Sequence, residues 1–430
     1  MTPAARVAAA IEALADIFDR RRPASDALKD WGLAHRFAGS KDRAAIAALV
    51  HDALRRKASA QWIVGAQTAR AAALGSLALV RGLDADAIAA LCEGPHAPAP
   101  LSDDERARLA AADLADAPEW VAGDFPEWLA PHLAATFGDD TVAEARALSA
   151  RAPVDLRVDV ARGTRDAAAA KLAHLLPAPT PHSPWGLRIA PAADGRPVPL
   201  AAEPAYVKGL VEVQDEASQL AVLLAGAKPG MQVVDLCAGA GGKSLALAAA
   251  MGGKGQVFAT DSDGRRLAPI HARIERAHAR NVQVRSPRGA ADPVADLAGR
   301  GDLVFVDAPC TGIGAWRRNP DAKWRVRPGA LEQRIGDQRE TLARAAGLVK
   351  RGGRLVYATC SLLRVENEDA TAAFLAAHPD FLPLDAAKLA ADAGVPALGQ
   401  YAAPHGAGFL FSPRRTGTDG FYVAAFARMG

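Results

Sequence analysis

The chain has 430 residues, half of them apolar, and carries 51 Lys/Arg against 48 Asp/Glu. That length exceeds what one hydrophobic core usually supports, so two or three domains are expected, with apolar content sufficient to fill them. The net charge of +3 divides unevenly: residues 1–60 hold 11 Lys/Arg against 7 Asp/Glu, residues 61–150 hold 5 against 14, and residues 151–430 hold 35 against 27. A polyanion would meet particular faces of such a protein, although ordinary solvated helix faces account for the same pattern. The four cysteines, Cys92, Cys237, Cys310 and Cys360, form no CxxC pair and no disulfide framework, which implies a reducing, cytoplasmic setting. No run of about 18 uncharged apolar residues occurs, so no membrane span is expected. The Ala-rich start is broken by Arg6, Glu12, Asp16 and Asp19, which argues against a signal peptide.

Residues 4–92 read as helical, with Val7, Ile11, Leu14, Ile17 and Phe18 at helical spacing and breaks expected at Pro23, Gly32 and Gly39. A Pro-rich joint at 94–100 leads to shorter helices around Trp120 and Trp128, and residues 1–145 are taken as one helical domain. Residues 154–160 alternate apolar and charged side chains, the signature of a half-buried strand; Thr164 caps a helix reaching Leu176, and the proline-rich stretch 177–184 reads as a loop. Residues 146–204 thus make a small α/β linker domain. From residue 205 the rhythm changes to short apolar runs at 232–236, 256–260, 282–284, 303–306, 354–358 and 421–426, separated by helical segments. This alternation predicts a mostly parallel, doubly wound α/β sheet over 205–430, with ligands at the carboxyl ends of its strands.

The first of these runs leads into Cys237-Ala238-Gly239-Ala240-Gly241-Gly242-Lys243-Ser244 and then a helix. Glycines there allow a tight turn and close approach of a ligand to free N–H groups. Asp261 ends the second run, where a carboxylate bridges ribose hydroxyls in an adenosine-type site; capping a helix is its plainer alternative. Gly242-Lys243-Ser244 also nearly completes a P-loop, with Cys237 in place of its first glycine, so a phosphate-binding NTPase competes at this point.

Two thiols stand at two further strand ends: Cys310 in Asp307-Ala308-Pro309-Cys310 and Cys360 in Thr359-Cys360-Ser361. The surrounding sequences, DLVFVDAPCTGIGAWRRNPDAKWR (302–325) and GGRLVYATCSLLRVENED (352–369), resemble the RsmB/Sun family of S-adenosylmethionine-dependent RNA cytosine-5 methyltransferases. Ser40-Lys41-Asp42-Arg43 and Leu54-Arg55-Arg56 resemble that family's NusB-like front domain, Val213-Gln214-Asp215-Glu216-Ala217-Ser218 the start of its catalytic domain, and Asp419-Gly420-Phe421-Tyr422 its closing strand. The resemblance implies a Rossmann-like class I methyltransferase sheet behind an all-α NusB-like domain, with S-adenosylmethionine as cofactor and no metal. It further implies Cys360 as nucleophile, Cys310 as helper in release of the adduct, and Asp307 beside cofactor and base. The cofactor set is Cys237 (through its backbone), Ala238, Gly239, Ala240, Gly241, Gly242, Lys243, Asp261 and Asp307. Lys243 has two candidate partners, Asp307 and the cofactor's carboxylate. Two departures stand out: Ala240 replaces the family's proline, and the third run continues into Arg285-Ser286-Pro287-Arg288-Gly289 where the family offers an Asp to adenine. Asp292 is nearby but out of register.

The expected partner is RNA, single-stranded or flipped out at the target: small-subunit rRNA first, transfer RNA as the alternative, with a monomer favoured. A catalytically silent RNA-binding module is a further alternative. Arg317, Arg318, Lys323 and Arg325, interleaved with Trp316 and Trp324, are the candidate RNA contacts, because cations bind phosphates and aromatic rings stack on bases.

Overall fold

The computed structural model describes residues 1–192, 198–287 and 291–430. Two compact units emerge. One comprises Met1–Arg151 and Trp316–Arg327; the other holds most of 152–315 together with Pro328–Gly430.

The first unit is helical. Thr2 caps Pro3–Arg20 by accepting from Ala5 N–H at 3.1 Å, and the buried face of that helix carries Val7, Ala10, Leu14 and Ile17. These pack with Ile46, Val50 and Leu54 of Ser40–Arg55 and with Ala72 and Leu74 of Ala69–Arg81. The expected break at Gly32 is absent: Gly32 lies inside Ala24–Ala34, where the Arg43 side chain passes close to it. Among the described residues no single helix is long and apolar enough to cross a membrane.

Residues 316–327 belong to this helical unit. Trp316 is 2% exposed, Trp324 Nε1 donates to Leu54 O at 2.7 Å, and the Lys323 ammonium donates to Arg55 O at 2.8 Å and Ser149 Oγ at 2.9 Å. Arg317 and Lys323 are buried, at 4% and 1% exposure. Neither is therefore a phosphate contact: their charges sit in the packing of the unit, not on its surface. Arg318 is half-buried, and Arg325 is exposed and paired with Asp321 at 2.9 Å.

Burial pushes the Lys323 ammonium down to about 7 from 10.5, with Asp124 opposing the shift. Between those values the unfolded chain binds more protons than the folded one, so this group's contribution to stability rises with pH and is lost as pH falls toward 7. The stability difference between the parent protein and Lys323→Met should accordingly grow in the parent's favour from pH 7 to pH 10 in urea titrations. A pH-independent difference would mean that the ammonium is not desolvated.

Among the described residues the second unit contains two sheets. In the first, β1 (Val154–Val158), β2 (Ala178–Pro179), β3 (Gly186–Ile189) and β4 (Val211–Val213) form an antiparallel sheet in the order β2-β3-β1-β4. Leu156, Val158, Leu187, Ile189 and Val211 fill its core with Leu172. Thr164 caps Arg165–Lys171 as expected, accepting from Ala167 N–H at 3.2 Å. The linker sheet reaches beyond the anticipated limit of residue 204, because β4 pairs with β1.

The second sheet uses β5 (Gln232–Asp235), β6 (Gln256–Ala259), β7 (Val282–Val284), β8 (Gly301–Asp307), β9 (Val349–Thr359), β10 (Phe381–Pro383), β11 (Phe409–Phe411) and β12 (Phe421–Arg428). Its order is β10-β12-β9-β8-β5-β6-β7, with β11 also on β12; β5 to β9 run parallel, whereas β10, β11 and β12 pair antiparallel. Val233, Val257, Leu303, Phe305, Val356 and Ala358 are fully or almost fully buried, as strands covered on both faces require. The chain leaves β5 toward β6 on one side and finds β8 on the other. That reversal opens a crevice at the carboxyl ends of β5 and β8, where ligands bind in such sheets.

Candidate active site

Asp235 closes β5 at the crevice, and Gly241 caps Gly242–Ala250 in the left-handed region with φ of +82°. Between them, Gly241 N–H donates to Ala238 O and Ala238 N–H to Thr260 O, both at 2.8 Å, which folds the turn over the end of β6. A Cβ at Gly241 would lie 2.3 Å from Ile270 Cγ1. Gly241→Ala therefore combines a clash with left-handed strain and should cost about 2–4 kcal/mol of unfolding free energy in guanidinium titrations; a loss below about 0.5 kcal/mol would contradict this packing.

Asp261, 3% exposed, accepts from Gly239 N–H at 2.9 Å through Oδ2 and from Asp263 N–H at 3.0 Å through Oδ1. It does not cap a helix; Asp263 caps Gly264–Leu267. The carboxylate thus braces the glycine turn. Lys243 donates to Asp307 Oδ2 at 2.6 Å, so Asp307 is the partner found among its two candidates. The ammonium also lies 5.0 Å from the centroid of the Phe421 ring. Burial works against its charge, but Asp307 outweighs burial, with smaller help from Cys360 and Asp235, and its pKa is raised.

Asp235, Cys237, Ala238, Gly239, Ala240, Gly242, Lys243 and Asp307 line one cavity together with Gln214 and Arg266. Asp235 has no role in the sequence reading, yet it is wholly buried on the cavity floor. It accepts from Ser244 Oγ at 2.6 Å, its Oδ1 has no partner among the described residues, and burial lifts it to about 7. Such an acid after a strand was visible in Asp235-Leu236-Cys237, but nothing in the sequence distinguishes it from a helix cap. Burial raises the Cys237 thiol, which suits its backbone-only role.

The thiols of Cys310 and Cys360 lie 3.4 Å apart. Parallel pairing of β8 with β9 sets Asp307 beside Ala358, Ala308 N–H donates to Ala358 O at 2.8 Å, and Gly314 N–H donates to Cys360 O at 2.9 Å. Gly314 approaches so closely that a Cβ there would sit 1.9 Å from Gly420 O, which locks the loop after Cys310 to the strand β12. The hydrogen bond with Cys360 raises the Cys310 thiol well above its ordinary value, and burial adds to this.

At the end of β7, Arg285 O accepts from Thr260 Oγ1 at 2.7 Å, while Asp292 pairs with Arg344 at 2.6 Å. Arg288 and Gly289, noted in the sequence as the departure from the family's adenine contact, lie outside the described residues. Among the described residues no group of three or more His, Cys, Asp or Glu could hold a metal ion.

Residues 221–427 match the family described as 16S rRNA methyltransferase RsmB/F, and residues 125–194 match the RsmF/B-like ferredoxin-like domain. The chain belongs to the RsmB/Sun family. A ribosomal RNA small subunit methyltransferase B from Sodalis glossinidius is 35% identical over 70% of this chain and 64% of its own length. One from Pseudomonas putida is 33% identical over 71% and 66%. The chain thus spans a little under two thirds of the length of these curated relatives. Among solved structures, one titled "Crystal Structure of PH0851" aligns with a TM-score of 0.72 and 25% identity over 99% of both chains. NSun6 from Pyrococcus horikoshii with SFG gives 0.60 and 19% over 71% of this chain and 99% of its own, a likeness of fold. Membership in the RsmB/Sun family removes the P-loop reading, and the site agrees: Lys243 is spent on Asp307 instead of standing ready for a phosphate. The residues present fit S-adenosylmethionine, since carboxylates at 235, 261 and 307 around a glycine turn suit a cationic sulfonium joined to a nucleoside.

Proposed function

We propose that the protein transfers a methyl group from S-adenosylmethionine to carbon 5 of a cytosine in RNA, the substrate being 16S-type small-subunit rRNA. The observation that carries this reading is the pair of thiols 3.4 Å apart at neighbouring strand ends, beside the Lys243–Asp307 pair of the cofactor turn. The printed names of the curated relatives support rRNA as the substrate.

S-adenosylmethionine supplies an electrophilic methyl group on a sulfonium. The main chain of 238–242 would hold it, with Asp261 toward the ribose. Carbon 5 of cytosine is too weak a nucleophile to accept that methyl unaided, so a thiolate must first add to carbon 6. A free thiol is only about a few per cent ionised at neutral pH, which makes a neighbouring proton donor valuable. Cys310 keeps its proton in the resting site, hydrogen-bonded with Cys360, while Cys360 gives its proton up to solvent and attacks carbon 6 as the thiolate. Asp307, its charge fixed by Lys243, accepts from the amino group, or from the ring nitrogen once that nitrogen is protonated, as charge shifts during addition. After methylation Cys360 is a thioether, so the main cause of the raised Cys310 value has gone. Cys310 then releases its own proton to solvent and, as a thiolate, takes the proton from carbon 5; the ring double bond reforms, and Cys360 leaves as a thiolate.

A base inside a duplex hides carbon 6, so the target is single-stranded or flipped out. The helical unit, read as NusB-like, serves as the RNA-binding domain, with Arg325 and Arg318 as its remaining candidate cations. RNA tritiated at cytosine carbon 5 should release tritium to water one for one with methyl groups transferred. Transfer without release would place the methyl group on another atom and overturn the reading.

A further inference from the structure

We propose that Glu366 is the positioning residue that holds the two thiols as a pair. Each cysteine is followed by a hydroxyl residue, Thr311 after Cys310 and Ser361 after Cys360. Both hydroxyls donate to one carboxylate oxygen: Thr311 Oγ1 reaches Glu366 Oε2 at 2.5 Å, and Ser361 Oγ bonds the same atom. The other oxygen, Oε1, accepts from Thr311 N–H at 2.8 Å and from Gln338 Nε2 at 3.1 Å. Gln338 Nε2 also donates to Pro309 O at 3.0 Å, the carbonyl immediately before Cys310. One anion therefore ties together two loops whose cysteines are 50 residues apart in sequence.

The anchor is itself rigid. Glu366, Gln338 and Ser361 are fully buried. Tyr357 OH, from β9, donates to Glu366 O at 2.7 Å; the adjacent Asn367 accepts from Thr359 Oγ1 at 2.6 Å and donates to Ser361 O at 3.0 Å. A buried carboxylate is costly unless its lone pairs are filled, and here the filling groups come from both thiol loops. If either loop moved away, it would leave part of that charge unsatisfied, so the carboxylate penalises separation of the thiols. The Glu366 charge also helps raise the Cys310 thiol, after the hydrogen bond with Cys360 and burial. The catalytic part of this role rests on the reading of Cys360 and Cys310 as the reacting groups.

Phenylarsine oxide tests the clamp without RNA or methyl donor. It condenses with two neighbouring thiols, forming two As–S bonds and releasing one water. The parent protein should bind one equivalent, and Cys310→Ala should abolish tight binding. Glu366→Gln, which keeps the side-chain shape but removes the charge, should weaken the arsenical at least about tenfold with cofactor affinity unchanged. In methyl transfer its kcat should fall about 100-fold at constant KM, the scale of a misplacement of about 1 Å. Should Glu366→Gln not fold, Ser361→Ala, which cuts one arm of the clamp, carries the same test. Folded variants that bind the arsenical as tightly as the parent would overturn the proposal. A parent protein that binds the arsenical through the clamp yet moves no methyl group would refute the methyltransferase reading and leave the clamp standing.

Discussion

Cys310→Ala, incubated with S-adenosylmethionine and small-subunit rRNA, should accumulate an enzyme–RNA adduct that survives denaturation, whereas Cys360→Ala should form none. The two thiols are 3.4 Å apart at the ends of neighbouring strands, β8 beside β5 and β9 one strand further out, so proximity to each other does not assign their roles. The assignment is the one the family resemblance implies, and the raising of the Cys310 thiol by its partner and by burial agrees with it. Without Cys360 no bond to carbon 6 forms, and turnover should fall by about 10⁴-fold or more, as when a nucleophile acting in concert with its partners is removed. Without Cys310 the bond forms and the methyl group transfers, but the carbon 5 proton has no acceptor and the adduct persists. Denaturing gel electrophoresis with labelled RNA reads both outcomes. An adduct in the Cys360 variant would reverse the roles.

Asp307→Ala should lower methyl transfer by about 10²–10³-fold, the scale of losing a preorganised electrostatic group at a reacting centre. Asp307 stands at the end of β8 with its side chain 30% exposed, bonded at 2.6 Å to a Lys243 side chain that is only 13% exposed. It is the main group sustaining the Lys243 charge against burial. Its removal leaves the ammonium next to Phe421 without that counter-ion, so the pKa of Lys243 falls and the crevice loses its ordered pair of charges. Asp307→Asn, which keeps an acceptor but not the charge, should retain more activity than the alanine variant. Single-turnover rates with saturating cofactor and RNA separate this loss from weaker binding; an Asp307→Ala rate within about threefold of the parent would remove Asp307 from the chemistry.

Much of this site was visible in the sequence, for a physical reason. β5, β6, β8 and β9 are covered on both faces, so they read as short apolar runs, and each ends in a polar or reactive residue that has no place in a core: Asp235, Asp261 just beyond β6, Asp307, Cys360. What escaped sequence reading is what depends on distant partners. β10 and β11 are three residues each and exist by pairing with β12. Lys323 looks like a surface cation until Arg55 O and Ser149 Oγ, 268 and 174 residues away, close around it. Trp316 and Trp324 were read as stacking surfaces, yet the same apolar area fills the helical unit. Glu366 sits in the charged stretch 364–369 with nothing beside it in sequence to set it apart, and only the convergence of Thr311, Ser361 and Gln338 on its carboxylate shows what it holds.

The central claim is tested most directly by the identity of the product. Small-subunit rRNA incubated with the purified protein and methyl-labelled S-adenosylmethionine, digested to nucleosides and resolved by chromatography with mass detection, should carry the label in 5-methylcytidine. Label confined to another nucleoside, to a ribose hydroxyl or to the exocyclic amine of cytosine would contradict the account.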